Sequence, residues 1–105
     1  MIALIAGPDG DGLGEALEAE GVEIVRLSDP VGAETLADAG VEEADLFVLT
    51  DMADATAISV AKELNSEIRI VTYSYDSLPE FASGQADLAI DPNLLAADVV
   101  AEELV

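Results

Sequence analysis

The sequence predicts an α/β domain in which five parallel strands form one sheet, wound on both faces by helices. Three observations predict it. Short apolar runs of strand length alternate with amphipathic stretches along the whole chain, the pattern of repeated strand–helix–strand units. The apolar residues are mostly Ala, Val, Leu and Ile, with two Tyr, two Phe and no Trp, an aliphatic set suited to strands buried on both sides. A length of 105 residues is enough for one core and too little for two.

Ile2 to Ala6 reads as the first strand, ended by the turn signal Gly7-Pro8-Asp9-Gly10. Leu13 to Glu20 follows as a short helix with Leu13, Ala16 and Leu17 inward, and Gly21 stops it. Val22 to Leu27 is the second strand, leading into Ser28-Asp29-Pro30. A second helix spans about Val31 to Ala39 and closes at Gly40. Asp45 to Thr50 is the third strand, and Ala53 to Leu64 the longest helix, with Ala57, Val60, Ala61 and Leu64 on one face. Ile68 to Tyr73 is the fourth strand. A short helix near Leu78 to Ser83 leads through Gly84 to the fifth, Asp87 to Ile90. Asp91-Pro92-Asn93 opens the last helix, with Leu94, Leu95, Val99 and Leu104 apolar. Right-handed crossovers join these pieces into a Rossmann-like, doubly wound sheet, most simply in the order 3-2-1-4-5, as one domain over residues 1-105.

Charge bounds the function. There are 23 acidic residues against Arg26, Lys62 and Arg69, for a formal net charge of −20. Such self-repulsion destabilises a compact state at low ionic strength. Around 1 M salt the Debye length falls to roughly 3 Å and most of the penalty disappears. The composition therefore reads as halophilic. An acidic mimic of nucleic acid would gather its charges on one face, whereas here they recur in every predicted helix. Nucleic-acid binding is excluded for want of a basic patch. The absence of Cys and His removes thiolate chemistry, imidazole bases and the usual zinc ligands. The first residues lack a basic signal-peptide region, and no apolar run approaches the roughly 18 residues of a membrane span, so a cytoplasmic protein without membrane insertion is expected.

Several strings carry a resemblance. Gly40-Val41-Glu42-Glu43-Ala44-Asp45 precedes the third strand, Thr50-Asp51 follows it, Ala61-Lys62-Glu63-Leu64-Asn65 ends a helix, and Gly84-Gln85-Ala86-Asp87 precedes Asp91-Pro92. In order and spacing these resemble the TrkA-N (RCK) nucleotide-binding domains of potassium-uptake regulators. The resemblance implies a non-enzymatic module that binds NAD(H) or another adenine nucleotide and pairs as a homodimer, or with a partner protein, through helix surfaces. The last helix is the natural contact. The chain departs from that family at the first turn. Gly-x-Gly-x-x-Gly is replaced by Gly7-Pro8-Asp9-Gly10-Asp11-Gly12-Leu13-Gly14, and Ser28 stands where an acidic residue would meet the ribose. The chain also resembles short haloarchaeal proteins designated CTP synthetase. No Gly-x-x-x-x-Gly-Lys-Ser/Thr loop and no Cys nucleophile is present for that chemistry.

In a doubly wound sheet, ligands bind beyond the carboxyl ends of the strands, where the strand order reverses. The expected binding residues are therefore Gly7, Asp9, Gly10, Gly12, Ser28, Asp29, Thr50, Asp51 and Tyr73. Each has a plainer reading beside the functional one. Glycines let a backbone approach a pyrophosphate at a helix N-terminus, or they simply make a tight solvated turn. Unit charges about 4 Å apart repel by about 4 kcal/mol at an effective dielectric of about 20, so Asp9 and Asp11 oppose a phosphate unless a cation intervenes or they point outward. Asp9, Asp11 and Glu15 lack the spacing of a calcium loop. Asp51 can cap the following helix, Tyr73 can pack the strand end instead of stacking on a base, and Lys62 reads as solvated.

Two other readings remain. One is a degenerate Rossmann domain acting as an interaction subunit. The other is a nucleotide-metabolism enzyme with only carboxylates, Ser, Thr and Tyr for chemistry. Phosphoacceptor receiver domains share the size and topology. They need an acidic pair after strand one, an Asp after strand three and a Lys after strand five. Asp9 and Asp51 could serve, but Asp91-Pro92 stands where the Lys should be, and the receiver reading fails on that residue.

The charge analysis makes one prediction. Lowering KCl from about 3 M to about 0.1 M lengthens the Debye length to about 10 Å and should depress the melting temperature steeply, as followed by circular dichroism. A melting temperature indifferent to salt would show that surface repulsion is not what the composition manages.

Overall fold

The computed structural model of the protein describes residues 1–28 and 30–105. Its strands are β1 (Ile2–Ala6), β2 (Glu23–Leu27), β3 (Leu46–Leu49), β4 (Arg69–Tyr73) and β5 (Leu88–Ile90). Its helices are α1 (Leu13–Ala19), α2 (Ala33–Asp38), α3 (Ala57–Leu64), α4 (Glu80–Ser83) and α5 (Ala97–Leu104). All strands are parallel, and they form one sheet in the order β2-β1-β3-β4-β5.

The doubly wound α/β architecture is as expected, but the strand order is not 3-2-1-4-5. Burial explains the correction. All four residues of β3 are buried, whereas β2 carries exposed Glu23 and Arg26. A strand of continuous apolar residues needs a neighbour on each side and a helix over each face. A strand with a charge at each end belongs at an edge. β3 accordingly lies between β1 and β4, and β2 takes the rim.

The pleat divides the core in two. Leu4, Phe47, Leu49 and Ile70 face α2, α3 and α4 through Leu36, Ala57, Ile58, Ala61 and Ala82. Ala3, Ile5, Leu46, Val48, Val71 and Tyr73 face α1 and α5 through Leu13, Leu17, Val100, Ala101 and Leu104. Three helices thus cover one face of the sheet and two cover the other.

Two helix starts differ from expectation. The segment after β3 begins as a single 3-10 turn at Met52–Asp54, and α3 starts only at Ala57. The last helix starts at Ala97 and not at Asp91-Pro92-Asn93. Asp91 instead closes a turn on Leu94, its side chain accepting from the Asn93 amide at 2.8 Å. Of the expected stripe Leu94, Leu95, Val99 and Leu104, Leu104 alone is buried. The inward face of α5 is Val100, Ala101 and Leu104. Among the described residues no helix is long and apolar enough to cross a membrane.

Phe47 is fully enclosed in the three-helix layer and is the largest fully buried side chain. Phe47→Ala should cost about 3–5 kcal/mol through lost transfer energy and the cavity left behind, measured by denaturant unfolding in high salt.

Candidate functional site

The observed order puts the topological reversal between β1 and β3, so the crevice forms where these two strands end. Gly7 is there because nothing else fits. Its φ is +100°, and a β-carbon would lie 2.5 Å from Thr50 Oγ1 and 2.8 Å from the Asp51 nitrogen. The Thr50 hydroxyl fills the gap, shared between the Ala6 carbonyl at 3.2 Å and the Pro8 carbonyl. The chain's own groups therefore close the floor of the crevice.

Asp9 does not face this space. Its Oδ1 accepts from the Leu13 amide at 3.0 Å, and its Oδ2 accepts from the Gly14 amide at 3.0 Å and from Arg26 Nη1 at 2.9 Å. The first amides of α1 are where a bound phosphate would sit. They already hold an internal carboxylate, reinforced by one of the three cations in the sequence. Gly14 permits the packing, since a β-carbon there would lie 2.6 Å from Asp9 Oδ2. Gly10, expected to let phosphate approach, would meet nothing within 4 Å if it carried a β-carbon. Gly12 turns the chain into α1 with φ +78°.

The remaining expected residues scatter. Thr50, Tyr73 and Gly10 line a concavity of about 270 Å³ with Pro8, Asp11 and Tyr75. Ser28 lies apart, in a groove between β2 and α2 with Arg26 and Thr35, because β2 is at the rim. Asp29 lies outside the described residues. Asp51 turns its carboxylate onto the Ala53 amide at 2.9 Å, capping the 3-10 turn. Tyr73 is buried and donates its hydroxyl to the Leu95 carbonyl at 2.8 Å. Lys62, expected to be solvated, reaches Asp87 at 3.3 Å, and the same carboxylate accepts from the Ile70 amide at 2.7 Å. Among the described residues no three His, Cys, Asp or Glu side chains converge as a metal-binding set.

Sequence reasoning missed two contacts. Tyr75 donates to Asp11 at 2.8 Å across the mouth of the concavity, a pairing with a sequence separation too long for any local pattern to signal. Arg26 on Asp9 had a signal in the strand period. Ile24 and Arg26 share a face of β2, and Arg26 is level with Ile5, on the α1 side. Desolvation raises the Tyr73 phenol above its ordinary pKa, with Asp11 and Asp98 adding to it. The hydrogen bond to Asp11 raises that of Tyr75.

The chain belongs to a family of unknown function, DUF7126, whose model matches residues 3–104. No curated protein matches it. Among solved structures it is similar to an atypical orphan response regulator described as having a phosphorylation-independent regulatory mechanism. That pair has TM-score 0.73 and 21% identity over 99% of this chain and 92% of the other. An orphan response regulator of H. pylori superposes with TM-score 0.71 at 20% identity, covering 98% of this chain and 92% of that one. A response regulator of Burkholderia pseudomallei, solved with a phosphorylated aspartic acid, calcium ion and citrate, gives TM-score 0.62 at 19% identity over 98% and 69%. At these identities the likeness is one of fold, and the fold is receiver-like.

These findings overturn the TrkA-N resemblance, and with it the nucleotide module and the CTP synthetase reading. The strings that carried it solve problems common to any doubly wound sheet. Gly40 supplies a left-handed turn at φ +86°, the Asn65 amide holds the Val41 and Ala44 carbonyls at 2.9 and 3.1 Å, and Asp87 ties down the start of β4. Of these strings Thr50-Asp51 alone reaches the concavity, where Thr50 bonds the Ala6 and Pro8 carbonyls. The Lys missing after β5, on which the receiver reading fails in the sequence, reports phosphotransfer chemistry and not topology.

The tyrosines supply a pH test. A pKa raised in the folded state means a contribution to stability that is present below the ordinary value near 10 and is lost as pH rises through the higher folded value. Ultraviolet titration should find both phenols ionising above that value, and Asp11→Asn should bring Tyr75 back towards it. A titration unchanged by Asp11→Asn would mean the Tyr75 contact does not persist in solution.

Proposed function

We propose that this DUF7126 domain is a regulatory signalling module that keeps a receiver-like scaffold and acts by docking on protein surfaces, a second copy of itself included, without a phosphorylation cycle. The observation that carries the reading is the commitment of its carboxylates. Phosphotransfer in this fold needs acidic residues after strand one and an Asp after strand three around one cation, with a Lys after strand five. Here Asp9 is bound to two amides and a guanidinium, and Asp51 to Ala53. The residue after β5 is Asp91, itself bound to the Asn93 amide. Recruiting Asp9 to a cation would break charge-assisted hydrogen bonds, the strong class. Thr50 meanwhile occupies the floor of the crevice. The similarity to an atypical orphan response regulator described as phosphorylation-independent supports the same view.

The test uses acetyl phosphate and, separately, beryllofluoride, each with Mg²⁺ in high salt. Intact mass should show no phosphoryl adduct, and the amide NMR spectrum should not move around Gly7, Thr50 and Asp51. An adduct on Asp51, or Mg²⁺-dependent shifts converging on Asp9, Asp11 and Asp51, would overturn the reading.

A further inference from the structure

β2 ends the sheet on one side with five residues, Glu23–Leu27, against three in β5 on the other. In a parallel ladder, alternate residues turn both backbone groups towards the same neighbour. The Glu23 amide donates to the Met1 carbonyl at 2.9 Å, so Glu23, Val25 and Leu27 face β1. Ile24 and Arg26 accordingly turn their N–H and C=O groups to the outer edge. Charged side chains guard such an edge in many proteins. Here the Arg26 guanidinium is drawn back onto Asp9 at 2.9 Å, on the α1 side, which takes its charge off the edge. On the other side a groove of about 510 Å³ lies between β2 and α2, with Leu27 and Ala39 in its lining. Its α2 wall carries Glu34 and Asp38, and among the described residues no cation pairs with either.

We propose that this rim is a docking groove for an extended, basic segment of a partner protein, which adds to the sheet as a sixth strand. This rests on the docking reading above and names a surface and a partner for it. The outward backbone groups of Ile24 and Arg26 supply the pairing. Charge selects the occupant. Glu34 and Asp38 stand one helical turn apart, at about 6 Å. Alternate side chains of an extended chain lie on one face at roughly 6.5 Å. Lys or Arg residues two positions apart, turned towards α2, therefore meet both carboxylates as the segment runs along the edge. Arg26 does not oppose them, because Asp9 neutralises it. An acidic segment would meet two like charges. A second copy of the chain cannot supply the segment, since its basic residues, Arg26, Lys62 and Arg69, lie far apart in sequence and each is engaged within its own fold. In multimolar salt the attraction is screened beyond a few ångströms, so the pairing relies on charges in contact and on backbone hydrogen bonds.

The probe is an acetylated octapeptide of alternating Lys and Val, titrated into the full chain at the lowest KCl concentration where circular dichroism shows it folded. Amide NMR shifts should centre on residues 24–28 and α2. Glu34→Gln combined with Asp38→Asn, both at exposed positions, should raise the peptide Kd about tenfold. The matching peptide of alternating Glu and Val should not bind. Two further peptides carry N-methyl groups at every Lys or at every Val. Only one of these sets turns its amides towards β2, so one of the two peptides should bind about tenfold more weakly or worse. A Lys–Val peptide that does not bind, or that shifts amides elsewhere, overturns the proposal. So does a Kd indifferent to the Glu34 and Asp38 changes, equal binding of the Glu–Val peptide, or full affinity in both N-methylated peptides. Failure of the peptide to bind would leave the phosphorylation-independent reading standing, and a phosphoryl adduct would remove that reading without touching the groove.

Discussion

The side-by-side pairing of β1 with β3 is the constraint from which the rest of the molecule follows. Ala3 to Ala6 lie level with Leu46 to Leu49, and every one of these residues is buried. Two strands of continuous apolar character can be satisfied only at the centre of the sheet, with helices above and below. Once they are adjacent, β2 is driven to one rim and β4 and β5 to the other side. The reversal of strand order then falls between β1 and β3, and the loops after these two strands must share one small space. Gly7 is the steric consequence, since the side chain of Thr50 takes the volume that a β-carbon would need.

That shared space shows how so acidic a chain avoids stranded charge. Asp9, Asp51 and Asp91 each satisfy amides within a few residues of themselves. Asp87 and Asp45 do the same across the sheet, through Ile70 and Ile2. All three basic residues stand at joints: Arg26 against Asp9, Lys62 against Asp87, and Arg69 against the end of α5. Carboxylates used in this way stabilise turns and strand starts through charge-assisted hydrogen bonds. In the reading proposed above, the same commitment is what keeps them from a cation or a phosphoryl group.

The five helices divide into three on one face and two on the other. β5, the edge strand, is short of cover on both faces, with Leu88 exposed on one and Ala89 on the other. In most of the surface, acidic side chains keep neighbouring molecules apart. Here the aliphatic side chains of Leu88, Leu95 and Val99 are left on view.

Much of this was legible in the residues. The alternation of apolar runs with amphipathic stretches located all five strands within a residue or two, because strands buried between helices demand short, mainly apolar runs. The charged ends of β2 and the continuous apolar run of β3 held the strand order as well, although the simplest winding suggested another. Short strings such as Ala61-Lys62-Glu63-Leu64-Asn65 misled, because they encode how a helix ends and a strand begins, which many unrelated doubly wound domains share. The sequence by itself therefore determined the layers and the strongly acidic composition, both of which depend on local period and residue type. Only the tertiary structure decided where Asp9 points, that Thr50 closes the crevice, and that β5 lies bare beside α5. Those are facts of contact between residues distant in the chain, and they depend on which strand lies next to which.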